Sequence, residues 1–372
     1  MSRTCSLAAS RMHRHLINNP FGLPSCKHQR HSLNKFLCSD RKLGAPKFST
    51  CRSLKSTLDT SAKNLQQLVA ESDDFPHLGT LQHTIALTDC WYLTHIANAT
   101  VHTVSYLTPS VATALLSVPA SVRDTIYIDS SARIISIQAD NVDRRSNTLA
   151  SIIDHWRTHS TFPMLEHLRG EQMAIYSPSG SIYANIDRNC VPVFGFVAYY
   201  VYLIAYTHHR GADGQRELRI WIQQRSSSKT WHGGMLDCTV AGAIQAGQTP
   251  DESILRESKE EASLPLSVLA GAKPILPGSN RLVNMRQVDG FFRPACGFGY
   301  ELELKAGEEP VPSDGEVEAF QAISVEDVKR KLKDREFMPN AAKVLVEWLG
   351  RKGQIAEEDI SLEQRKIVFP LM

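Results

Sequence analysis

The chain has 372 residues, 42% hydrophobic and 22% charged, and its 41 Lys and Arg against 39 Asp and Glu leave a formal net charge of +2. That length predicts about two domains of ordinary globular composition, and the near balance of charge gives no overall argument for a nucleic-acid polymer as partner. No apolar run reaches the roughly eighteen residues that span a bilayer, so membrane insertion is not expected. The eight cysteines include no Cys-x-x-Cys pair, which supports neither a disulfide framework nor a zinc site.

Residues 1–60 form a basic tail. Residues 1–55 hold eleven Lys or Arg against one acid, Asp40, with many Ser. That composition fits a transit peptide with a mitochondrial address; a disordered basic tail, and with it a cytoplasmic location, is the alternative. Residues 61–189 read as a small α+β domain. A helix is expected over 62–72 through Leu65, Leu68 and Val69, then strands over 125–129 and 132–137, and helical stretches over 111–116 and 149–156. No acidic or His/Cys cluster with ligand spacing occurs there.

Residues 190–352 carry stronger strands: 191–207, 217–224, one near 237–240 and one over 299–304. Glycines 211 and 214 suit a turn between the first two, and helices over 325–334 and 340–350 close the domain before a tail at 353–372. Alternating elements of this kind predict an α/β class. His208, His209 and Arg210 read as a solvated strand end, and Cys238 as a small buried thiol.

The informative segment is 242–264. Thr249 followed by Pro250, Asp251 and Glu252 has the form of a capping box with proline at the first helical position, so a helix should start at Pro250. Residues three and four apart share a helix face, so Glu257, Glu260 and Glu261 converge while Ile254 and Leu255 point toward the core. Arg256 pairs with Glu260 at i, i+4, yet one guanidinium does not balance three carboxylates. A hard cation such as Mg²⁺, with Mn²⁺ as a second choice, takes oxygen ligands and completes its shell with phosphate oxygens. The bland alternative is an ordinary solvated helix face.

The spacing of Gly242, Arg256, Glu257, Glu260, Glu261 and Leu264 closely resembles the Nudix box, Gly-x5-Glu-x7-Arg-Glu-apolar-x-Glu-Glu-x-Gly-apolar. Gln248, Ser258 and Ser263 depart from it, standing where Glu, an apolar residue and Gly are expected. Ordered segments around the box, including 218–226, 229–237, 312–320 and 337–342, resemble the Nudix subfamily related to thiamin pyrophosphokinase, which has an amino-terminal domain of its own. The resemblance covers roughly residues 62–352. It implies an α/β/α sandwich preceded by a small α+β domain that shapes substrate or makes dimer contacts, in a monomer or homodimer. It also implies a Mg²⁺-dependent hydrolase of a diphosphate linkage, acting on thiamin diphosphate or damaged analogues.

Under that resemblance Glu257, Glu260, Glu261 and the Gly242 carbonyl are the expected metal ligands, and Glu260 and Glu261 serve catalysis with Arg256 orienting them. Glu316 is the expected general base, with Glu318 second. Arg225 and Lys229 precede the box within expected reach of phosphate oxygens, and Trp221 and Trp231 are candidates to stack on a flat heterocycle, with core packing the favoured role for each Trp. Oxidised purine nucleoside diphosphates such as 8-oxo-dGDP are alternative substrates. A non-catalytic diphosphate-binding module is a further alternative, kept open by Gln248 and Ser263. Isomerase chemistry on the same fold needs an additional Cys and Glu that are not evident.

Overall fold

The computed structural model describes residues 65, 68, 81–97, 100–210, 214–229, 231–275, 281–288 and 290–355. The tail at 1–60 and nearly all of the helix expected over 62–72 lie outside the described residues, although Leu65 and Leu68 are helical and buried. By Cα proximity residues 62–95 and 103–372 form one unit.

The upstream part contains strands β1 (Trp91–Ala97), β2 (Thr100–Leu107), β3 (Ile126–Asp129) and β4 (Ile134–Ile137), with β1 parallel to β4 through Tyr92–Ile134 and β3 antiparallel to β4. Helices α1 (Pro109–Leu116) and α2 (Val142–Thr158) pack on them. Asn141 caps α2 by accepting from the Arg144 N–H, and the buried stripe Leu149, Ile152, Ile153 and Trp156 follows helical spacing. A hairpin of β5 (Gln172–Tyr176) and β6 (Ile182–Asp187) completes this part. Trp156 is wholly buried, stacked on Phe194 at 5.2 Å and edge-on to Phe162 at 5.1 Å.

The strand expected over 191–207 begins only at Ala198, because residues 191–195 form a buried turn whose apolar side chains Val191, Val193 and Phe194 fill the core around Trp156. An apolar run marks burial, and here burial and extension part company.

The larger sheet contains β7 (Ala198–Arg210), β8 (Arg216–Arg225), β9 (Leu236–Asp237), β10 (Val240–Ala243), β11 (Lys273–Pro274), β12 (Arg281–Val288), β13 (Phe291–Glu303) and β14 (Val317–Ser324). Its central order is β11-β13-β7-β8-β14, with β13 parallel to β7 and the β7–β8 and β8–β14 pairs antiparallel. Strand β7 alternates between two cores. Val201, Leu203 and Ala205 face α3 (Pro250–Ala262), while Tyr202 and Ile204 face α4 (Val325–Lys333) and α5 (Pro339–Arg351). Helices therefore cover both faces, giving the α/β/α sandwich. No described helix is long and apolar enough to cross a membrane.

Candidate active site

Helix α3 starts at Pro250, as its capping box requires. Thr249 accepts from the Glu252 N–H, and the Glu252 carboxylate accepts from the Thr249 N–H at 2.8 Å. Ile254, Ser258, Glu261 and Ala262 turn inward onto β7 and β10, whereas Glu260 is half exposed. Helix and strand approach closely at Gly242: a Cβ there would lie 2.0 Å from Glu257 Cδ and 2.1 Å from its Oε1. The absent side chain leaves a cradle that the Glu257 carboxylate fills.

Glu261 is 1% exposed and accepts from the Ala241 N–H at 3.1 Å. Burial pushes its carboxyl well above the usual range, opposed by Lys229. Burial also raises Glu257, opposed by Arg256. Two neighbouring acids that resist ionisation when dry are a strong demand for positive charge. The chain meets part of it: Arg256 reaches Glu257 and Glu260, each at 2.8 Å, and Lys229 lies 3.9 Å from Glu261. Among the described residues no group of three His, Cys, Asp or Glu side chains is gathered for a metal, and Glu260 turns outward to Arg256 rather than in beside Glu261. The donor set, the buried Glu261 and half-buried Glu257 carboxylates beside the Gly242 cradle, fits a hard divalent cation.

Gln248 clarifies one departure from the box. Its Oε1 accepts from Arg256 Nε at 3.1 Å and from Ser253 Oγ at 3.0 Å, so a neutral amide orients the arginine. Ser258 is wholly buried, and among the described residues its Oγ has no hydrogen-bond partner. Ser263 ends α3 with φ 52°, the left-handed region that glycine occupies at least cost.

The structure brings the predicted remote base to the site. Lys229 Nζ donates to Glu316 while lying near Glu261, so one ammonium links the two carboxylates. Burial raises the Glu316 carboxyl, but Lys229, with Arg188 and Arg169, outweighs it and holds the group below its ordinary range. Glu318 sits exposed at a β-bulge in β14. Arg225 is committed elsewhere: it pairs with the wholly buried Asp237 at 2.8 Å and donates to the Trp231 carbonyl at 3.4 Å, fixing the loop between β8 and β9. Trp231 is 41% exposed with the Arg293 guanidinium over its ring at 4.5 Å, so the core-packing role does not hold for it; Trp221 does pack against the core under α3. Cys238 is buried as expected.

Arg188 and Arg169 were not anticipated, because no motif marks them and they lie upstream of the strong strands. Their signal is only spatial.

A NUDIX domain family model matches residues 210–345. That stretch is therefore similar to NUDIX domains. An uncharacterized protein of Saccharomyces cerevisiae, YJR142W, is 25% identical over 264 residues, covering 67% of this chain and 76% of that protein. The aligned length exceeds the 210–345 span, so the shared sequence extends beyond the Nudix match. Nudix hydrolase 20, chloroplastic, of Arabidopsis thaliana is 33% identical over 179 residues, 48% of this chain and 45% of that protein. Nudix hydrolase 24, chloroplastic, of the same plant is 28% identical over 227 residues, 60% and 59% respectively. The alignments with these two plant relatives thus span about half of each relative's length.

Proposed function

We propose that the chain hydrolyses a diphosphate linkage in a small metabolite with a divalent cation, Mg²⁺ in the first instance, and that thiamin diphosphate or a damaged analogue is the substrate. The observation that carries the reaction class is the pair of carboxylates, the buried Glu261 and the half-buried Glu257, both pushed upward by burial, beside the Gly242 cradle. Glu257, Glu261 and the Gly242 carbonyl would hold the cation, with Glu260 as the outer ligand. Bound there, a divalent ion supplies charge neutralisation for phosphate oxygens and a lowered pKa for water.

The chain's own residues supply the rest. Arg256, oriented by Gln248, holds Glu257 and Glu260 in place. Lys229 neutralises Glu261 and keeps Glu316 ionised, which leaves Glu316 ready to accept a proton once the ammonium turns to a phosphate oxygen. Trp231, held flat on one face by Arg293, offers its exposed part to a heterocycle. The thiamin assignment rests on the subfamily resemblance of the segments flanking the box. A two-domain division at 189/190, a monomeric or homodimeric state and an organellar, mitochondrial address for the basic tail belong to the same proposal; relatives named chloroplastic support an organellar tail.

The test is turnover by the full chain against thiamin diphosphate, its oxidised analogues and nucleoside diphosphates including 8-oxo-dGDP, with Mg²⁺ and Mn²⁺. Preference for the thiamin compounds supports the assignment. Preference for nucleotides moves the substrate, and tight binding without phosphate or monophosphate release leaves a non-catalytic module.

A further inference from the structure

Glu261 turns its two oxygens to different partners. Its Oε2 accepts from the Ala241 N–H at 3.1 Å, while its Oε1 lies 3.9 Å from Lys229 Nζ. The same ammonium donates to Glu316 Oε2, so it stands between a carboxylate of α3 and one from the turn that leads into β14. The Lys229 side chain is only 15% exposed, unusual for a residue type that mostly lies in solvent.

The loop between β8 and β9 fixes the lysine at its backbone. The Lys229 N–H donates to the Ser226 carbonyl at 3.1 Å, and the Ser226 N–H donates to the Glu316 carbonyl at 2.8 Å, which ties the lysine to the glutamate it pairs with. At Gly233 a Cβ would lie 2.7 Å from the Lys229 carbonyl oxygen and 2.8 Å from that of Ser227, so the loop closes tightly behind the lysine. The ammonium reaches Glu261 from a fixed base, and its flexible four-carbon stem is what can carry it away.

With Oε2 turned to the backbone of β10, Oε1 is the Glu261 oxygen that faces the site, and it is the oxygen that Lys229 approaches. A Mg²⁺ bound through Oε1 at its ordinary distance would come within roughly 6 Å of Nζ. Physiological salt screens charges over about 8 Å, so the two cations still repel. Swinging the ammonium away relieves the repulsion but breaks its contacts with both carboxylates. Either route weakens binding of the ion.

We propose that the Lys229 ammonium competes with the divalent cation for Glu261 Oε1, an internal counter-ion that lowers the affinity of the site for the bare ion. The inference rests on the reading of Glu257 and Glu261 as metal ligands. Removal of a ligand side chain weakens binding of the ion, whereas removal of this one strengthens it.

The test titrates Mn²⁺, in physiological salt and without substrate, into the full chain after chelator treatment, and reads binding by calorimetry and by the spin resonance of the free ion. Lys229→Met should bind Mn²⁺ about tenfold more tightly than the wild type, equivalent to about 1.4 kcal/mol, and Lys229→Gln by a similar factor. Lys259→Met removes the same charge from an exposed position on α3, where solvent and salt screen it, and should stay within about twofold of the wild type. Glu261→Gln should weaken binding in the same assay, which assigns the ion to this site; thermal melts check that each variant is folded. Unchanged or weaker Mn²⁺ binding in folded Lys229→Met and Lys229→Gln, or equal tightening by Lys259→Met, overturns the competition and leaves the metal-ligand reading standing. Absence of Mn²⁺ binding by the wild type and every variant, or wild-type affinity in Glu261→Gln, overturns that reading and the inference with it.

Discussion

Gly242→Ala probes the closest contact in the site. The added Cβ would lie 2.0, 2.1 and 2.3 Å from Cδ, Oε1 and Cγ of Glu257, far inside van der Waals contact. No left-handed backbone strain opposes alanine at this position. The side chain of Glu257 is what must yield, and it is flexible. Overpacking of this kind costs about 1–3 kcal/mol, and the smaller conformational freedom of the unfolded alanine chain returns roughly 0.4–1 kcal/mol. The net is about 1–2 kcal/mol, which lowers Tm by roughly 2–8 °C for a domain of this size. Function should fall much further, because displacing a catalytic group by about 1 Å costs on the order of 100-fold, or roughly 2.7 kcal/mol of barrier. Differential scanning calorimetry with kcat/KM at saturating Mg²⁺ separates the two effects. A folded variant with near wild-type kcat/KM and metal affinity would refute the claim that Gly242 makes room for a working Glu257.

Two further expectations concern stability. Glu347 on α5 is wholly buried; it accepts from Arg351 Nε at 2.8 Å, and burial outweighs Arg351 and Lys343 to push its carboxyl up to about 7. The folded state thus holds the proton more tightly than the unfolded chain. Its contribution to stability is greatest below about pH 4.5, declines up to about pH 7 and is constant above, a change of at most about 3 kcal/mol. Glu347→Gln should flatten that decline and be the more stable protein at about pH 8 in denaturant titrations; parallel pH profiles for the two proteins would contradict this. Ser263→Gly should raise stability by about 0.5–1 kcal/mol, since glycine takes the left-handed conformation at less cost, and an unchanged or lower denaturation midpoint would count against the strain.

The sequence made the box helix legible almost to the residue, because capping chemistry and proline act locally: Thr249, Pro250 and Glu252 determine where α3 begins whatever surrounds it. It also made the two closing helices and strand β8 legible, through apolar periodicity. Periodicity failed at residues 191–195, where apolar side chains serve a buried turn, and the strands β5, β6 and β14 went unmarked. At the site, Glu257, Glu261, Lys229 and Glu316 could be named from spacing and resemblance. The outward turn of Glu260 and the commitment of Arg225 to Asp237 could not, because each depends on which charge lies nearest in three dimensions. Gln248 looked like a loss of charge and proves to be an orienting acceptor, a role that only the partner Arg256 reveals.

The central claim is that the carboxylates on α3 serve divalent-metal hydrolysis of a diphosphate. Its most direct measurement is the Mg²⁺-dependent turnover of the full chain beside that of Glu261→Gln, a change that removes a charge the fold itself does not favour. The account predicts that the variant melts no lower than the wild type while kcat falls by about two orders of magnitude or more at every Mg²⁺ concentration. Near-normal turnover by folded Glu261→Gln would contradict it.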